Sequence, residues 1–246
     1  MPMPVTRPRK KVVVLLSGGL DSTTTLYLAK KRRFRCLCLI FDYGQRHKKE
    51  IFSAKKIARL AGCPYRVVNF NLPWKGSSLL DKTLKVPQLA NAQKTEGSPE
   101  QGRGTRKREN EIPSTYVPAR NIIFLSFAVS FAEANKAGAV FIGANAIDYS
   151  GYPDCRPEFY RNFSRAVSVG TKCGVEGKQV KILTPLINKT KKEIIKIGTA
   201  LGAPFKFTWS CYRGGKAPCG KCDSCLLREK GFRAAGIKDP LSAFAP

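Results

Sequence analysis

The sequence predicts an α/β fold: a doubly wound, mainly parallel sheet carrying a small zinc-binding segment at its C-terminal end. Three observations predict it. From Lys11 to Gly202, short apolar runs alternate with amphipathic helical patterns, which is how a parallel sheet covered on both faces reads. The first of those runs leads into a two-glycine loop, "SGGLDS", that opens a helix. Four of the nine cysteines crowd into Cys211 to Cys225.

The elements follow in chain order. Strands are predicted at Val12 to Leu16, Cys36 to Phe41, Tyr65 to Asn69, Val140 to Gly143 and Val180 to Leu183. In "KKEIFSAKKIARLAG", Ile51, Ala54, Ala58 and Ala61 share one helical face, and Gly62 is a C-terminal stop. A helix from about Asn121 to Lys136 is apolar on nearly every side and is expected against the sheet. Thr190 and Glu193 have capping-box spacing ahead of Ile194, Ile195, Ile197 and Leu201, and Gly202 ends that helix. Residues 85–110 break the alternation; polar and without a period, they read as a mobile insertion. The chain thus divides into an α/β domain, 1–207, and a zinc-binding segment, 208–246.

Composition supports this frame. The 246 residues are enough for one large domain with a full core, and 43% hydrophobic residues argue that most of the chain folds. Forty-four Lys and Arg against 17 Asp and Glu give +27, a balance that attracts phosphate-rich ligands. The apolar run after the basic N-terminus is too short for a signal peptide, and the longest uncharged apolar stretch, Asn121 to Ala132, falls far short of the ~20 residues a membrane helix needs. A soluble, cytoplasmic protein is expected, and the clustering of four of an odd number of cysteines in such a chain favours a metal over disulfides.

The loop "SGGLDS" is built to hold an anion. Amides freed by the turn and by the helix N-terminus converge on one spot, Gly18 and Gly19 admit the ligand to the backbone, and Ser17, Ser22 and Thr23 add hydroxyls. Asp21 would repel a bare phosphate, so it is expected to take up Mg²⁺ or brace the loop. No Lys follows the glycines, which excludes the Walker sequence.

"CYRGGKAPCGKCDSC" spaces Cys211, Cys219, Cys222 and Cys225 as C-x7-C-x2-C-x2-C. Four thiolates with no open position describe a structural zinc site; an iron–sulfur cluster or a redox C-x-x-C pair are the competing readings.

Three further clusters fall where an open parallel sheet presents its crevice. "FDYGQRHKKE" holds Tyr43, Gln45, Arg46 and the only histidine, His47. "YVPARN" brings Arg120 and Asn121 to a helix start, fit for a nucleotide or a carboxylate. "GANAIDYSGYPDCRPEF" reads as a long polar loop; its Asp148, Tyr149, Tyr152, Asp154, Cys155 and Arg156 suit a flat heterocycle, with Asp154 or Asp148 accepting from a guanine-like edge.

SGG-x-DS resembles the pyrophosphate loop of the ATP pyrophosphatase superfamily (PP-loop, adenine-nucleotide alpha-hydrolase-like). With DYGQRHKKE, YVPARN, DYSGYPDCRPEF, TPLINKTKKEI, SCY and CGKCDSC in order from about Lys11 to Pro240, the chain is similar to the 7-cyano-7-deazaguanine synthases of queuosine biosynthesis. The resemblance implies a C–N ligase that turns 7-carboxy-7-deazaguanine, ammonia and ATP into a nitrile through an adenylated carboxylate and an amide. It implies ATP with Mg²⁺, one Zn²⁺ per chain on the four cysteines, a homodimer, and no need for nucleic acid, although the basic surface leaves room for its weak binding. On it, Leu16, Ser17, Gly18, Gly19, Leu20, Asp21, Ser22, Thr23, Thr24, Thr25 and Leu26 bind the nucleotide. Tyr43, Gln45, Arg46, His47, Arg120, Asn121, Asp148, Tyr149, Tyr152, Asp154 and Arg156 bind the base; Asp21, Ser22, Arg120, Asp154, Cys155 and Arg156 are the catalytic candidates. The rival readings are a tRNA thiolase with Cys155 as nucleophile, a zinc-bearing RNA-binding module, and a relative serving modified DNA or another conjugate.

Overall fold

Residue alternation along the first strand sets the layering. In β1 (Lys11–Leu15), Val13 and Leu15 enter one buried cluster while Val12 and Val14, followed by Leu16, enter another on the opposite face. A strand covered on both faces is buried throughout, and Val12, Val13 and Val14 are at most 1% exposed. The computed structural model describes residues 9–46, 48–74, 76–81, 83–87, 112–147 and 151–241. Most of the 85–110 stretch, with His47, Asp148 and Tyr149, lies outside the described residues.

β2 (Arg35–Asp42), β3 (Tyr65–Asn69), β4 (Ala139–Phe141) and β5 (Lys181–Leu183) join β1 in one parallel sheet of order β3-β2-β1-β4-β5. All five predicted strands are present, β3 with the predicted bounds and the others within two residues of them. The chain moves outward from β1 in one direction and returns to add β4 on its other side, so a crevice opens between the carboxyl ends of β1 and β4.

Helices α1 (Leu20–Lys31) and α2 (Lys49–Leu60) cover the Val12/Val14 face; Leu26, Ala29, Ile51, Ala54, Ile57 and Ala58 are buried there. α3 (Arg120–Ala134) covers the other face through Leu125, Ala128, Val129 and Ala132. The helix lies against the sheet as expected, while its outer side stays open: Ile122 and Phe127 are 44% and 42% exposed, and Phe127 stacks on Phe70 at 5.4 Å.

The polar loop expected to run through Phe159 is shorter than predicted. Pro153–Cys155 form a 3-10 turn, and α4 (Pro157–Gly170) begins at a proline whose fixed φ suits a first helical turn. The short α5 (Lys172–Val175) follows. α6 (Lys191–Ala200) starts at the predicted capping box, with Thr190 N donating to Glu193 Oε2 at 2.9 Å. α7 (Asp223–Ala235) is a helix that the zinc-segment reading did not contain. Its Phe232 packs with Leu20, Ile195 and Phe205, which ties the segment to the start of α1.

Candidate active site

The crevice between β1 and β4 is a cavity walled by Leu16, Ser17, Gly19, Leu20, Asp21 and Ser22 on one side and Tyr43, Gln45, Arg120, Asn121, Tyr152 and Cys155 on the other. The loop after β1 is internally braced. Ser17 and Ser22 hydroxyls lie 3.0 Å apart, Ser17 N donates to Ser22 Oγ at 3.2 Å, and Ser22 Oγ donates to Gly19 O at 3.2 Å.

Two glycines make that loop possible. Gly18 has φ +83, and a Cβ there would lie 2.5 Å from Glu50 O, so the loop sits directly on α2. A Cβ on Gly143 would lie 2.8 Å from the backbone of Asp21 and Ser22, so the strand-end after β4 closes on the loop from the other side. Of the stretch expected to hold the nucleotide, Leu16, Ser17 and Gly19 to Ser22 line the cavity, and Thr23 to Leu26 do not. Thr23 Oγ1 bonds back to Gly19 O at 2.7 Å, and Thr24, Thr25 and Leu26, all 0% exposed, lie within α1 and off the cavity wall. A helix carries its residues away from its own N-terminus by about 1.5 Å each, so only the first turn can reach a ligand there.

Asp21 does not stand alone. Lys191 Nζ donates to both its carboxylate oxygens at 2.8 Å, across 170 residues of chain, and Lys191 is itself only 8% exposed. The cation missing from the loop's own sequence arrives from the N-terminus of α6. A sequence signal existed: a Lys in the first turn of a helix opposes the dipole, and neither solvation nor helix formation asks for it.

Arg120 is aimed by strained backbone. Ala119 precedes it at φ 54, a left-handed conformation uncommon for a residue with a Cβ, and its N–H is held by Tyr116 OH at 3.0 Å. Arg120 Nη1 then donates to Tyr43 OH at 3.4 Å. Gln45 braces the turn after β2, accepting from Tyr43 N at 2.8 Å and donating to Phe41 O at 3.2 Å.

Asp154 corrects an expectation. It is 5% exposed and off the cavity wall; its Oδ2 accepts from Asn121 N at 3.1 Å, so it caps α3 from outside the helix. Asn121 Nδ2 returns the contact, donating to Asp154 O at 3.0 Å and reaching Cys155 Sγ at 3.5 Å. Burial raises the Asp154 carboxyl above the usual carboxylate range, against the pull of Asn121 N and Arg120. Burial, with the adjacent Asp154 charge, pushes the Cys155 thiol up to about 12. Cys155 is on the wall but is a neutral thiol at neutral pH, the opposite of an activated nucleophile.

Two more residues fall outside the cavity. Arg156 is exposed at the start of α4, and Arg46 donates to Ser78 O and Leu84 O, stapling a neighbouring loop. Arg46 was marked in the sequence by its place after the second strand and Arg156 by its polar loop, but neither side chain forms the wall. Residues that sequence reasoning missed take their places: Lys191, Glu50, Asn145, Ser210, Tyr212 and Arg228. Arg228 is clamped on Asp239 at 2.7 and 2.8 Å and on Thr208 Oγ1 at 2.8 Å.

The four cysteines meet as predicted. Their sulfurs lie within 4.8 Å of one another, and Cys219 Sγ and Cys225 Sγ are 4.0 Å apart. A tetrahedron of thiolates about 2.3 Å from a central Zn²⁺ has edges near 3.8 Å, so the set fits that ion. Cys211 Sγ accepts from Arg213 N at 3.4 Å and Cys219 N at 3.3 Å, the outer-shell pattern of a metal thiolate. Two residues before Cys211, Trp209 N donates to Gly18 O at 2.9 Å, joining the cluster to the loop.

A two-glycine loop at the switch point of a five-stranded parallel sheet, with a four-thiol cluster beside it, defines a fold of the PP-loop, adenine-nucleotide alpha-hydrolase-like kind. The family described as "Queuosine biosynthesis protein QueC" matches residues 11–236. The chain belongs to that family. A 7-cyano-7-deazaguanine synthase of Anaeromyxobacter sp. (strain Fw109-5) is 50% identical over 238 residues, covering 95% of this chain and 96% of that protein. One of the same name from Leptospira interrogans serovar copenhageni is 50% identical over 232 residues, covering 93% and 89%. Among solved structures, an NMN synthetase from Francisella tularensis is similar at TM-score 0.45 and 16% identity, over 94% of this chain and 78% of that one.

Proposed function

We propose that the protein converts 7-carboxy-7-deazaguanine and ammonia into 7-cyano-7-deazaguanine at the expense of ATP, as a nitrile-forming C–N ligase of queuosine biosynthesis. The observation that carries this reading is the meeting of the Ser17–Ser22 loop, Lys191 and Arg120 in one cavity, in a chain half identical to proteins of that name over nearly its whole length.

ATP supplies the group that activates oxygen for departure. The residues supply its setting. Loop amides and the Ser17 and Ser22 hydroxyls receive the pyrophosphate as it separates, with Lys191 and Arg120 offsetting charge at the reacting phosphate. The substrate carboxylate attacks the α-phosphate and becomes an acyl adenylate; ammonia displaces AMP, loses a proton, and leaves an amide. A second activation, at the amide oxygen, and loss of that oxygen with AMP and of the nitrogen's two protons, gives the nitrile. Tyr43, Tyr152 and Phe124 on the cavity wall offer flat apolar faces for the heterocycle.

Mg²⁺ accompanies ATP with one or two carboxylates as ligands. Asp21 and Glu50 are carboxylates on the wall that would hold it, Asp21 by exchanging its contact with Lys191 for the ion. Zn²⁺ on the four cysteines is structural. The protein is proposed to act in the cytoplasm as a homodimer. The neutral Cys155 thiol gives the thiolase reading no support.

The test is direct: purified protein with 7-carboxy-7-deazaguanine, ammonium and Mg-ATP, with the base followed by mass spectrometry. Appearance of the amide and then the nitrile is expected. No conversion, or ATP consumption only when tRNA is added, overturns the assignment.

A further inference from the structure

The end of the sheet opposite the cavity is a rim of cations. Lys10, Lys11 and Arg35 open β1 and β2, and Lys181 opens β5; Lys11 pairs with Arg35 in register, and Lys181 N donates to Gly138 O beside them. From β2 to β5 these positions span three strand spacings, about 14 Å. Lys136, just before β4, fills the gap, and Arg33, just before β2, extends the row. Lys10, Arg33, Arg35, Lys136 and Lys181 are exposed, and among the described residues none of the five forms an ion pair. Among the described residues, the acids Glu133 and Glu176 near this end are engaged: Glu133 accepts from Cys173 N at 2.7 Å, and Glu176 pairs with Lys172 at 3.8 Å.

A solvated basic rim alone would mean little. The backbone adds a second observation. Among the described residues, three other than glycine have positive φ, and two of them are on this rim: Arg33 at φ 60 and Lys136 at φ 55. Both stand just past a helix end, in the left-handed position that closes the helix, with Phe34 N bonding to Ala29 O and Ala137 N to Ala132 O. After α2, α6 and α7 the corresponding place is held by Gly62, Gly202 and Gly236, which adopt it without strain. On the rim, glycine's place is given to a long cation at a conformational cost. Complementing the helix dipole does not require that, since any basic residue in the last turn would do it. α1 and α3 lie on opposite faces of the sheet, so Arg33 and Lys136 flank the row from both sides.

We propose that this rim docks the phosphate backbone of a folded RNA, at a surface remote from the catalytic cavity. Arg33 and Arg35 present planar forks suited to phosphate oxygens. Among the described residues the rim is formed by strand starts and helix ends, with no helix or ribbon there standing out to enter the major groove of B-form DNA. A flat row of cations matches the way A-form RNA is bound, through backbone and shape.

The double substitution Arg33→Gly, Lys136→Gly separates charge from fold, because glycine relieves both left-handed positions. The variant is expected to melt about 4 °C higher than the parent chain. Its affinity for an RNA hairpin, measured by fluorescence anisotropy at low salt, is expected to fall at least about tenfold, with the slope of log affinity against log salt shallower by about 1.5. Unchanged affinity and slope overturn the proposal. So does equal binding to a DNA duplex of the same sequence, or tighter binding to phosphatidylserine vesicles than to the hairpin.

Discussion

Lys191 Nζ lies 2.8 Å from both carboxylate oxygens of Asp21, which joins the N-terminus of α6 to the phosphate loop. The pair resolves a difficulty raised by the sequence, where an aspartate sat inside an anion cradle with no cation beside it. Lys191→Ala is expected to lower kcat/KM for ATP by about 100-fold, the scale of losing one charge-stabilising donor. It also leaves Asp21 15% exposed and unpaired, so the melting temperature falls as well. Lys191→Arg keeps the charge and is expected to recover more stability than activity, because a guanidinium does not replace a compact ammonium at this depth. Steady-state kinetics and thermal melts check both.

Gly143→Ala places a methyl 2.8 Å from Asp21 backbone. Expected is a loss of about 1–3 kcal/mol of stability from overpacking and a weaker affinity for ATP, read by calorimetry. A control at Gly62, where a Cβ meets nothing within 4 Å, costs about 1 kcal/mol at its φ of +63 and leaves ATP affinity unchanged.

Asp154→Asn retains an acceptor for Asn121 N but removes the charge at the start of α3. A loss of about 1 kcal/mol is expected, together with a lower kcat through the displaced Arg120. If Asp154 instead read the base, KM for the deazaguanine would rise with little change in melting, which substrate titration distinguishes.

Cys155 gives a pH signature. Its folded value near 12 lies above the ordinary 9.0, so the fold favours the neutral thiol. That stabilisation is complete below about pH 9 and is lost as pH rises toward 12, where the unfolded chain ionises first. Cys155→Ala should flatten this alkaline loss in chemical denaturation. Iodoacetamide at pH 7.5 should modify Cys155 far more slowly than free cysteine.

Replacing Cys222 with Ser is expected to abolish stoichiometric zinc, measured by elemental analysis of the purified chain. Melting temperature should fall, because the Trp209, Cys211 and Cys225 cluster loses its centre.

The five strands, the capping box at Thr190 and the cysteine site were legible because each is a local pattern: period, spacing or cap. The loop after β1 was legible for the same reason, up to Ser22. Lys191 and Glu50 were not, because they reach the cavity from α6 and α2, and no short-range rule says which helix terminus faces which strand end. Asp154 misled for a related reason: a carboxylate in a polar loop looks like a ligand group until the fold brings it to Asn121 N. Arg46 and Arg156 show the limit of charge as a guide, since the side chains lie beside the crevice without entering it.

The bond from Trp209 N to Gly18 O joins the cysteine cluster to the loop after β1, so on the proposed function the metal and the nucleotide would be coupled. If zinc holds the loop in its ATP-receiving shape, thermodynamic reciprocity requires that ATP hold the zinc. A chelator should therefore strip the metal more slowly from the nucleotide-loaded protein than from the free one. On that reading, a cell starved of zinc but rich in ATP would keep the protein metallated longest where it is working.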